Sequence, residues 1–257
     1  MPHYALLLEY DGTGFVGWQR QDNGLSIQDV LETAAARLAT PVETIVAGRT
    51  DAGVHAEAQV VSLDLPREMT PYALREALNF HMKPHLVAVR QVTPAPDNWN
   101  ARFSAIGRTY RYRILNRAAR PALLAGRAWH VHVPLDAVAM QAAAESLLGK
   151  HDFSSFRAAA CQAKSPLRTL DRLQVTRDGE NIEFIVKARS FLHHQVRNMV
   201  GTLKLVGEGR WPVARDAEVL AARDRTAAGP TAPAHGLCLA AVRYSTDPFL
   251  GHDARGS

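Results

Sequence analysis

The segment AGRTDAGVHA, residues 47–56, brings together two side chains that can do chemistry, Arg49 and Asp51. In an extended chain these two residues project on the same side, so both can reach one cleft. A nearby guanidinium favours the ionised form of a carboxylate. An ionised, oriented carboxylate acts as a nucleophile or stabilises a cationic sugar. The flanking Gly48 and Gly53 permit tight backbone conformations.

The same residues also fit a purely structural interpretation. In a turn over Asp51-Ala52-Gly53, the aspartate would bond the backbone two residues further on. On local sequence alone this turn is favoured over a catalytic site. An aspartic protease signature fits poorly, because Ala52, directly after the acid, carries no hydroxyl.

The stretch Ala101–His132 contains no acidic residue, although the net charge of the whole chain is only +5. Its arginines are Arg102, Arg108, Arg111, Arg113, Arg117, Arg120 and Arg127. Such a local excess of positive charge predicts a polyanionic partner; a solvated strand face is the alternative. Tyrosines and a tryptophan lie among the arginines, which favours nucleic acid, since bases offer faces on which rings can stack.

Within this stretch, RTYRYR has the alternation of a strand. One face would carry Arg108, Tyr110 and Tyr112, and the other Thr109, Arg111 and Arg113. A basic head beside aromatic rings could hold an unpaired base, while the opposite arginines could bind phosphates. The alternative is that Tyr112 is simply a core residue.

The segment FLHHQVRNMVG is predicted to be helical. His193 and His194 would then point about 100° apart, which argues against joint ligation of a metal. Arg197 lies four residues beyond His193, so these two would share a helix face. A buried arginine needs a carboxylate partner, and Asp51 is an available one.

The glycine pattern GTGFVG, residues 12–17, matches a dinucleotide-binding fingerprint but in the wrong context. That fingerprint requires a helix that starts at its last glycine, whereas here the predicted helix begins only at Ser26. The glycines are better explained as shaping a loop that presents Phe15, Trp18, Gln19 and Arg20.

The composition, with 47% hydrophobic and 21% charged residues over 257 positions, predicts an ordinary soluble globular protein. The N-terminus shows no basic and apolar leader, and the apolar runs are shorter than the ~20 residues of a membrane span. Cys161 and Cys238 match neither a metal-ligand spacing nor a disulfide framework. We therefore expect a reduced, cytoplasmic protein without a metal site.

The elements that must position these residues follow one order twice: strand, helix, strand, strand, helix, strand, with a short helix added in the second half. Ser26 and Asp29 are spaced as a capping pair for the first helix. This order predicts an α+β fold of two ferredoxin-like (βαββαβ) halves, with a largely antiparallel sheet and a central active-site cleft. The predicted halves are residues 1–100 and 101–245, and a tail follows at 246–257.

The individual elements are predicted from periodicity and from turn residues. Helices are predicted over residues 26–39, 71–81, 134–149, 191–209 and 217–223. Strands are predicted over residues 4–10, 42–49, 56–65, 86–92, 108–115, 169–177, 181–189 and 236–244, with a hairpin turn at Asp178-Gly179.

Six groups of residues occur in order along the chain: YDGTGFVGWQRQ, AGRTDAGVHA followed by QVV, ARFSA with RTYRYRI, DFSSFRA, FLHHQVRNMVG, and DRTAAGPTAPAHGL. Together they closely resemble the tRNA pseudouridine synthase A family, over nearly the whole chain. The resemblance implies isomerisation of uridine to pseudouridine at positions 38, 39 and 40 of the tRNA anticodon stem-loop. It also implies a homodimer that uses no cofactor and no metal.

The resemblance also implies roles for particular residues. Asp51 looks like the catalytic aspartate, and Arg197 looks like its basic partner. Tyr110 looks like the residue that packs on the target base, and Arg49 looks like the arginine that helps to take the uridine out of the helix. Two departures from the family are Cys238, where a tyrosine is frequent, and Thr109, where relatives can carry a basic residue. Arg20, Arg111 and Arg113 are further candidates for RNA binding.

The implied reaction breaks the N-glycosidic bond, turns the uracil and forms a carbon-carbon bond to the same sugar carbon. Asp51 could attack C1′ of the ribose, attack C6 of the base, or assist glycal formation, and the sequence does not choose among these. Flipping a base out of a stem costs a few kcal/mol, which explains a site that combines stacking and charged groups. The competing interpretations are a non-catalytic RNA-binding module and a nucleosidase that releases uracil.

Overall fold

The computed structural model describes residues 1–39 and 42–250. The chain forms two compact units. The first contains residues 1–106 together with the described residues from Leu239 onward, and the second contains Gly107–Cys238. The predicted tail at 246–257 lies outside the described residues from position 251 onward.

The elements of the first unit follow the predicted order. They are β1 (His3–Tyr10), α1 (Ile27–Ala36), β2 (Thr44–Val46), β3 (His55–Asp64), α2 (Pro71–His81) and β4 (Val87–Pro94). The strands pair in the order β4-β1-β3, with β2 against β3, and all of these pairs are antiparallel. Strand β1 is central, and its Leu6 and Leu8 are fully buried.

Helix α1 begins at the predicted capping pair. Ser26 Oγ accepts a hydrogen bond from the Asp29 amide at 3.0 Å, and Asp29 Oδ2 accepts one from the Ser26 amide at 3.1 Å. This box satisfies two of the amide donors that a helix N-terminus leaves open. The apolar residues Ile27, Val30, Leu31 and Ala34 lie on one face of the helix and are buried.

The second unit holds a sheet and helices that pack against it. Its elements are β5 (Ala105–Asn116), β6 (Trp129–Val131), α3 (Ala137–Ala144), β7 (Gly149–Asp152), β8 (Leu167–Asp178), β9 (Asn181–Ala188), α4 (Gln195–Gly207) and α5 (Arg215–Ala222). The strands pair in the order β5-β9-β8-β7, and β6 is parallel to β5. The other pairs are antiparallel. The last strand, β10 (Leu237–Tyr244), runs mostly through the first unit.

These observations confirm a mixed α and β protein with mostly antiparallel strands, but several predicted boundaries were wrong. The helix predicted over 134–149 begins at Ala137 and ends at Ala144, where a 3₁₀ turn follows. The helix predicted from residue 191 starts only at Gln195, because His194 has a left-handed backbone with φ 61°. The hairpin loop consists of Gly179 and Glu180, because Asp178 still pairs with Asn181.

Helix α4 is almost completely buried. The side chains on nearly all sides of it are inaccessible to solvent, which is typical of a core helix rather than of an amphipathic surface helix. Its last residue, Gly207, allows the close approach of α3: a β-carbon there would lie 2.7 Å from the sulfur of Met140. In the part of the chain that the structure describes, no helix has the length and apolar character needed to cross a membrane.

Asp216, in the first turn of α5, is fully buried, and neither carboxylate oxygen has a hydrogen-bond partner among the described residues. Burial raises the pKa of this carboxyl from 3.8 to about 7. Since the folded state then holds the proton more tightly than the unfolded state, Asp216 becomes destabilising as the pH rises from about 4 to about 7. At about 1.4 kcal/mol per pKa unit, the full cost is on the order of 4 kcal/mol.

We therefore predict that Asp216→Asn, which is isosteric and uncharged, raises the melting temperature more at pH 8 than at pH 5. The measurement is thermal unfolding of both proteins at the two pH values. An equal gain at both pH values would show that ionisation of Asp216 does not control stability.

Candidate active site

Asp51 lies in the loop between β2 and β3, and this loop is a tight turn. The Val54 amide donates to the Asp51 carbonyl at 3.1 Å, and Gly53 between them has φ 75°. The structural interpretation of this segment is therefore right about the backbone. This hydrogen bond joins two backbone groups, so it does not depend on the Asp51 carboxylate. Asp51 is partly exposed.

The residues on either side of Asp51 are anchored by buried polar groups. Thr50 Oγ1 lies 2.8 Å from Tyr10 Oη, in a buried hydrogen bond. Gln59 Nε2 donates to Tyr10 Oη at 3.2 Å and to the Gly48 carbonyl at 2.7 Å. Thr50 and Gln59 are both buried, so a mutually satisfied network of three side chains fixes the loop just before Asp51.

A second loop, residues 11–18, lies directly against the Asp51 turn. The Trp18 amide donates to the Thr50 carbonyl at 3.0 Å. Gly17 has φ 113°, and a β-carbon there would lie 2.8 Å from the same carbonyl oxygen. A β-carbon on Gly12 would lie 2.1 Å from the Val54 carbonyl oxygen. The glycines of GTGFVG therefore serve to bring one backbone against another, which is a structural use of the pattern.

If the chain has the activity that the resemblance implies, we predict that Gly12→Ala lowers turnover more than it lowers tRNA binding. The added carbon overlaps the Val54 carbonyl, so the Asp51 turn has to shift, at a cost of about 1–3 kcal/mol in stability. Single-turnover rates and tRNA binding are measured together with the melting temperature. Gly14→Asn is the matched control: Gly14 has open space around it, so this change adds only the backbone strain of φ 80°, which asparagine adopts more often than most residues. Equal turnover in both variants would contradict the prediction.

The first unit contains two of the arginines that were predicted to contact the RNA, Arg49 and Arg20, and their surroundings differ. Arg49 is exposed and follows β2, which ends at Val46, so no strand carries the alternation that was used to pair Arg49 with Asp51. Arg20 is bound to α1: its guanidinium pairs with Asp29 and, at 3.0 Å, with Glu32. The hydrogen bond to Asp29 raises the pKa of Arg20. A phosphate at Arg20 would therefore compete with two carboxylates.

In the second unit, β5 places Tyr110 and Tyr112 on the opposite face from Arg111 and Arg113, as predicted. Tyr112 is fully buried and donates to the Pro233 carbonyl at 2.8 Å, so it is a core residue. Burial raises the pKa of the Tyr112 hydroxyl well above its usual range, and the nearby Arg197 charge opposes this. Tyr110, on the same face, packs edge to face against Phe191 with ring centroids 5.2 Å apart. Only 8% of Tyr110 is exposed.

The opposite face of β5 is positively charged. Arg111 and Arg113 lie 3.5 Å and 3.4 Å from the same carboxylate oxygen of Glu183, so two cations share one anion. On the neighbouring strands Lys187 and Arg172 pair with each other in register, and Lys187 is also the partner of Thr109. A lysine thus stands beside the position where the chain lacks a basic residue.

Arg197 is held in the first turns of α4. Its Nε donates to the Ala232 carbonyl at 2.8 Å, and its own carbonyl accepts from the Ala232 amide at 3.1 Å. The prediction that His193 and Arg197 share a helix face was wrong, because His193 precedes the helix. The His193 and His194 rings instead lie against each other, with centroids 4.0 Å apart.

Sequence reasoning missed the residues that support the candidate site. Tyr10 and Gln59 lie in strands, where their polar ends are indistinguishable from ordinary solvent-facing groups. Ala232 and Gly229 lie in a loop whose small residues suggest only flexibility. The sequence did contain one relevant indication. Glycines close to Asp51 indicate that the backbone packs closely there.

Comparison with known proteins places the chain in a family. A family model described as tRNA pseudouridine synthase matches residues 7–104 and 143–245. A protein named tRNA pseudouridine synthase A from Acidiphilium cryptum (strain JF-5) is 69% identical over 97% of this chain and 99% of its own length. Proteins of the same name from Paramagnetospirillum magneticum (strain ATCC 700264 / AMB-1) and Rhodospirillum centenum (strain ATCC 51521 / SW) are 61% and 60% identical, each over 95% of this chain and over 96% and 100% of their own lengths. The chain belongs to the tRNA pseudouridine synthase family.

Proposed function

We propose that this chain isomerises uridine to pseudouridine at positions 38, 39 and 40 of the tRNA anticodon stem-loop. Family membership supports the reaction class, and the resemblance of the motifs supports the positions. The observation that carries the proposal is the setting of Asp51, a partly exposed acid on a turn whose neighbours Thr50 and Gly48 are anchored by buried hydrogen bonds. Such preorganisation holds a reacting group in place before substrate arrives.

In the proposed reaction Asp51 is the nucleophile. Attack on C1′, attack on C6 and a glycal route all use an ionised carboxylate. Each route leaves the elemental composition of the RNA unchanged, because the proton that C5 loses is balanced by one that N1 gains. Because nothing is oxidised and no group is lost, the reaction requires no cofactor. Arg49, which is exposed, helps to extrude the uridine; Tyr110 packs on the base; and Arg197 supports the carboxylate.

The proposal extends to RNA binding and to organisation. Arg20, Arg111 and Arg113 are proposed to contact phosphates, and the charge around Arg111 and Arg113 supports this more strongly than the ion pairs of Arg20 do. We further propose two ferredoxin-like halves at 1–100 and 101–245, a homodimer, and a location in the cytoplasm. The element order of the first unit and its strand order β4-β1-β3 with β2 on β3 support the ferredoxin-like assignment.

The positions are tested by mapping pseudouridine in a tRNA transcript that carries uridine at 38, 39 and 40. Primer extension after carbodiimide modification should stop one nucleotide to the 3′ side of each of these positions, and a transcript with cytidine there should give no such stops. Stops elsewhere in the transcript would contradict the assigned positions. Free uracil in the reaction would instead indicate a nucleosidase.

For the basic face of β5 we predict that Arg111→Ala and Arg113→Ala each weaken tRNA binding. Each should also reduce the slope of log affinity against log salt by about 1, because each guanidinium releases counterions from the RNA. Binding is titrated at several salt concentrations. Arg75→Ala, on the surface of α2, is the control. A slope equal to that of wild type would place these arginines away from the RNA.

A further inference from the structure

Arg225 lies at the centre of a hydrogen-bond cluster that ties the segment Asp224–Pro233, here called the anchoring segment, to α4. Its Nη1 donates to the Gly229 carbonyl at 2.9 Å. Its Nη2 donates to Thr231 Oγ1 at 3.1 Å and to Asn198 Oδ1 at 3.2 Å. One guanidinium therefore fixes two points of the anchoring segment and one point of the helix.

The α4 residues of this cluster, Asn198 and Thr202, are buried, and their side chains form hydrogen bonds. Asn198 is inaccessible to solvent; its Nδ2 donates to the Phe156 carbonyl at 2.8 Å, and its Oδ1 accepts from Thr231 Oγ1 at 2.6 Å. Thr202, one turn further, accepts from the Gly229 amide at 3.0 Å. Removal of the guanidinium would take one of two donors from Asn198 Oδ1 and the Arg225 donor from the carbonyl of buried Gly229. Loss of a donor to a buried acceptor costs more than loss of a surface contact.

The anchoring segment also touches α4 at backbone distance. A β-carbon on Gly201 would lie 1.7 Å from the Pro230 carbonyl oxygen. A β-carbon on Gly229 would lie 2.8 Å from the α-carbon of Thr202. At these two points glycine brings the backbone of the anchoring segment against the backbone of α4, with no side chain between them. A shift of the segment would therefore also displace the helix.

The far end of the anchoring segment holds the residues of the candidate site. Ala232 makes the two hydrogen bonds to Arg197, one to its side chain and one to its backbone. The Pro233 carbonyl accepts a hydrogen bond from the Tyr112 hydroxyl at 2.8 Å. Beyond the anchoring segment, Gly236 lies so close to Tyr112 that a β-carbon on it would be 2.5 Å from the ring. The position of the Arg197 guanidinium thus depends on where the anchoring segment lies.

We propose that Arg225 is a positioning residue for the reaction: it locks the anchoring segment onto α4, and the segment in turn sets the guanidinium of Arg197. An arginine is required because its planar fork offers several donors at fixed angles, whereas a lysine offers one flexible ammonium. This inference rests on the proposed function, in which Arg197 supports the reacting carboxylate.

The test is a double-mutant cycle on turnover with Arg225→Gln, Arg197→Gln and the double variant. Arg225→Gln should lower kcat at saturating tRNA by about 10- to 100-fold, since a displacement of about 1 Å costs that much. Its Kd for tRNA should stay within about threefold of wild type. In the Arg197→Gln background the same change should cost nothing further, because residues that act through one another are not additive. Arg210→Ala, an exposed arginine beside Glu208, is the control and should match wild type.

Three results would overturn the proposal: wild-type kcat in Arg225→Gln, losses that multiply in the double variant, or wild-type turnover in Arg197→Gln. The last result would remove the role of Arg197 while leaving pseudouridine formation by wild type intact, so it differs from failure of the function itself. If Arg225→Gln does not fold, Arg225→Lys replaces it in the cycle.

Discussion

Asp51→Asn is expected to lower pseudouridine formation by about 10⁴-fold or more, while tRNA binding stays within a few-fold of wild type. The size of the loss follows from the removal of the proposed nucleophile, whose role another residue is not expected to take over. Binding should persist because the amide has the same shape as the carboxylate, and because the turn is closed by the Val54 amide and the Asp51 carbonyl. The anchored neighbour Thr50 is untouched by the change.

This prediction is checked by nucleoside analysis of the RNA and by equilibrium binding with the same preparation. Thr50→Ser is a matched control, because it keeps the hydroxyl that Tyr10 binds and leaves the carboxylate in place. Substantial pseudouridine formation by Asp51→Asn would contradict the nucleophilic role. Loss of both binding and folding would show that the carboxylate is structural.

Tyr110→Ala is expected to lower turnover by about 100-fold, the upper range for the loss of one stacked base. Tyr110 is nearly buried, and its ring already packs on Phe191. The ring is therefore held at a fixed angle, and in the proposed function it would be a preorganised surface for the uracil. Truncation of a buried aromatic ring also costs about 3–5 kcal/mol in stability, so rates must be compared where the variant is folded.

Tyr110→Phe separates packing from chemistry. It keeps the ring against Phe191, so its free energy of unfolding should lie within about 1.5 kcal/mol of wild type. Turnover of this variant then measures what the hydroxyl contributes, and turnover of Tyr110→Ala measures the ring. Full activity of Tyr110→Ala in its folded state would assign the tyrosine to structure alone.

Much of the fold follows from local patterns. Helix α1 begins at its capping pair, and α2 runs from Pro71 to His81 as predicted, with Thr70 Oγ1 accepting from the Ala73 amide at 3.2 Å. The alternation in β5 correctly separates Tyr112 from Arg113. These signals are strong because caps and strand periodicity act over a few residues.

The features that depend on distant contacts were missed. Helix α4 starts late because His194 adopts a left-handed backbone, a choice that no local pattern in FLHHQVR indicates. The short strands β6 and β7 exist only by pairing with β5 and β8. The Tyr10, Thr50 and Gln59 network joins residues 40 and 49 positions apart, so its partners cannot be read from spacing.

The measurement that tests the central claim most directly is tritium release from unmodified tRNA labelled at uracil C5, with wild type and Asp51→Asn compared at equal occupancy. Formation of a carbon-carbon bond at C5 expels that hydrogen, so wild type should release tritium in proportion to the pseudouridine formed, and Asp51→Asn should release none above background. Tritium release by both proteins would contradict the role of Asp51, and release by neither, despite tight tRNA binding, would contradict the proposed isomerisation.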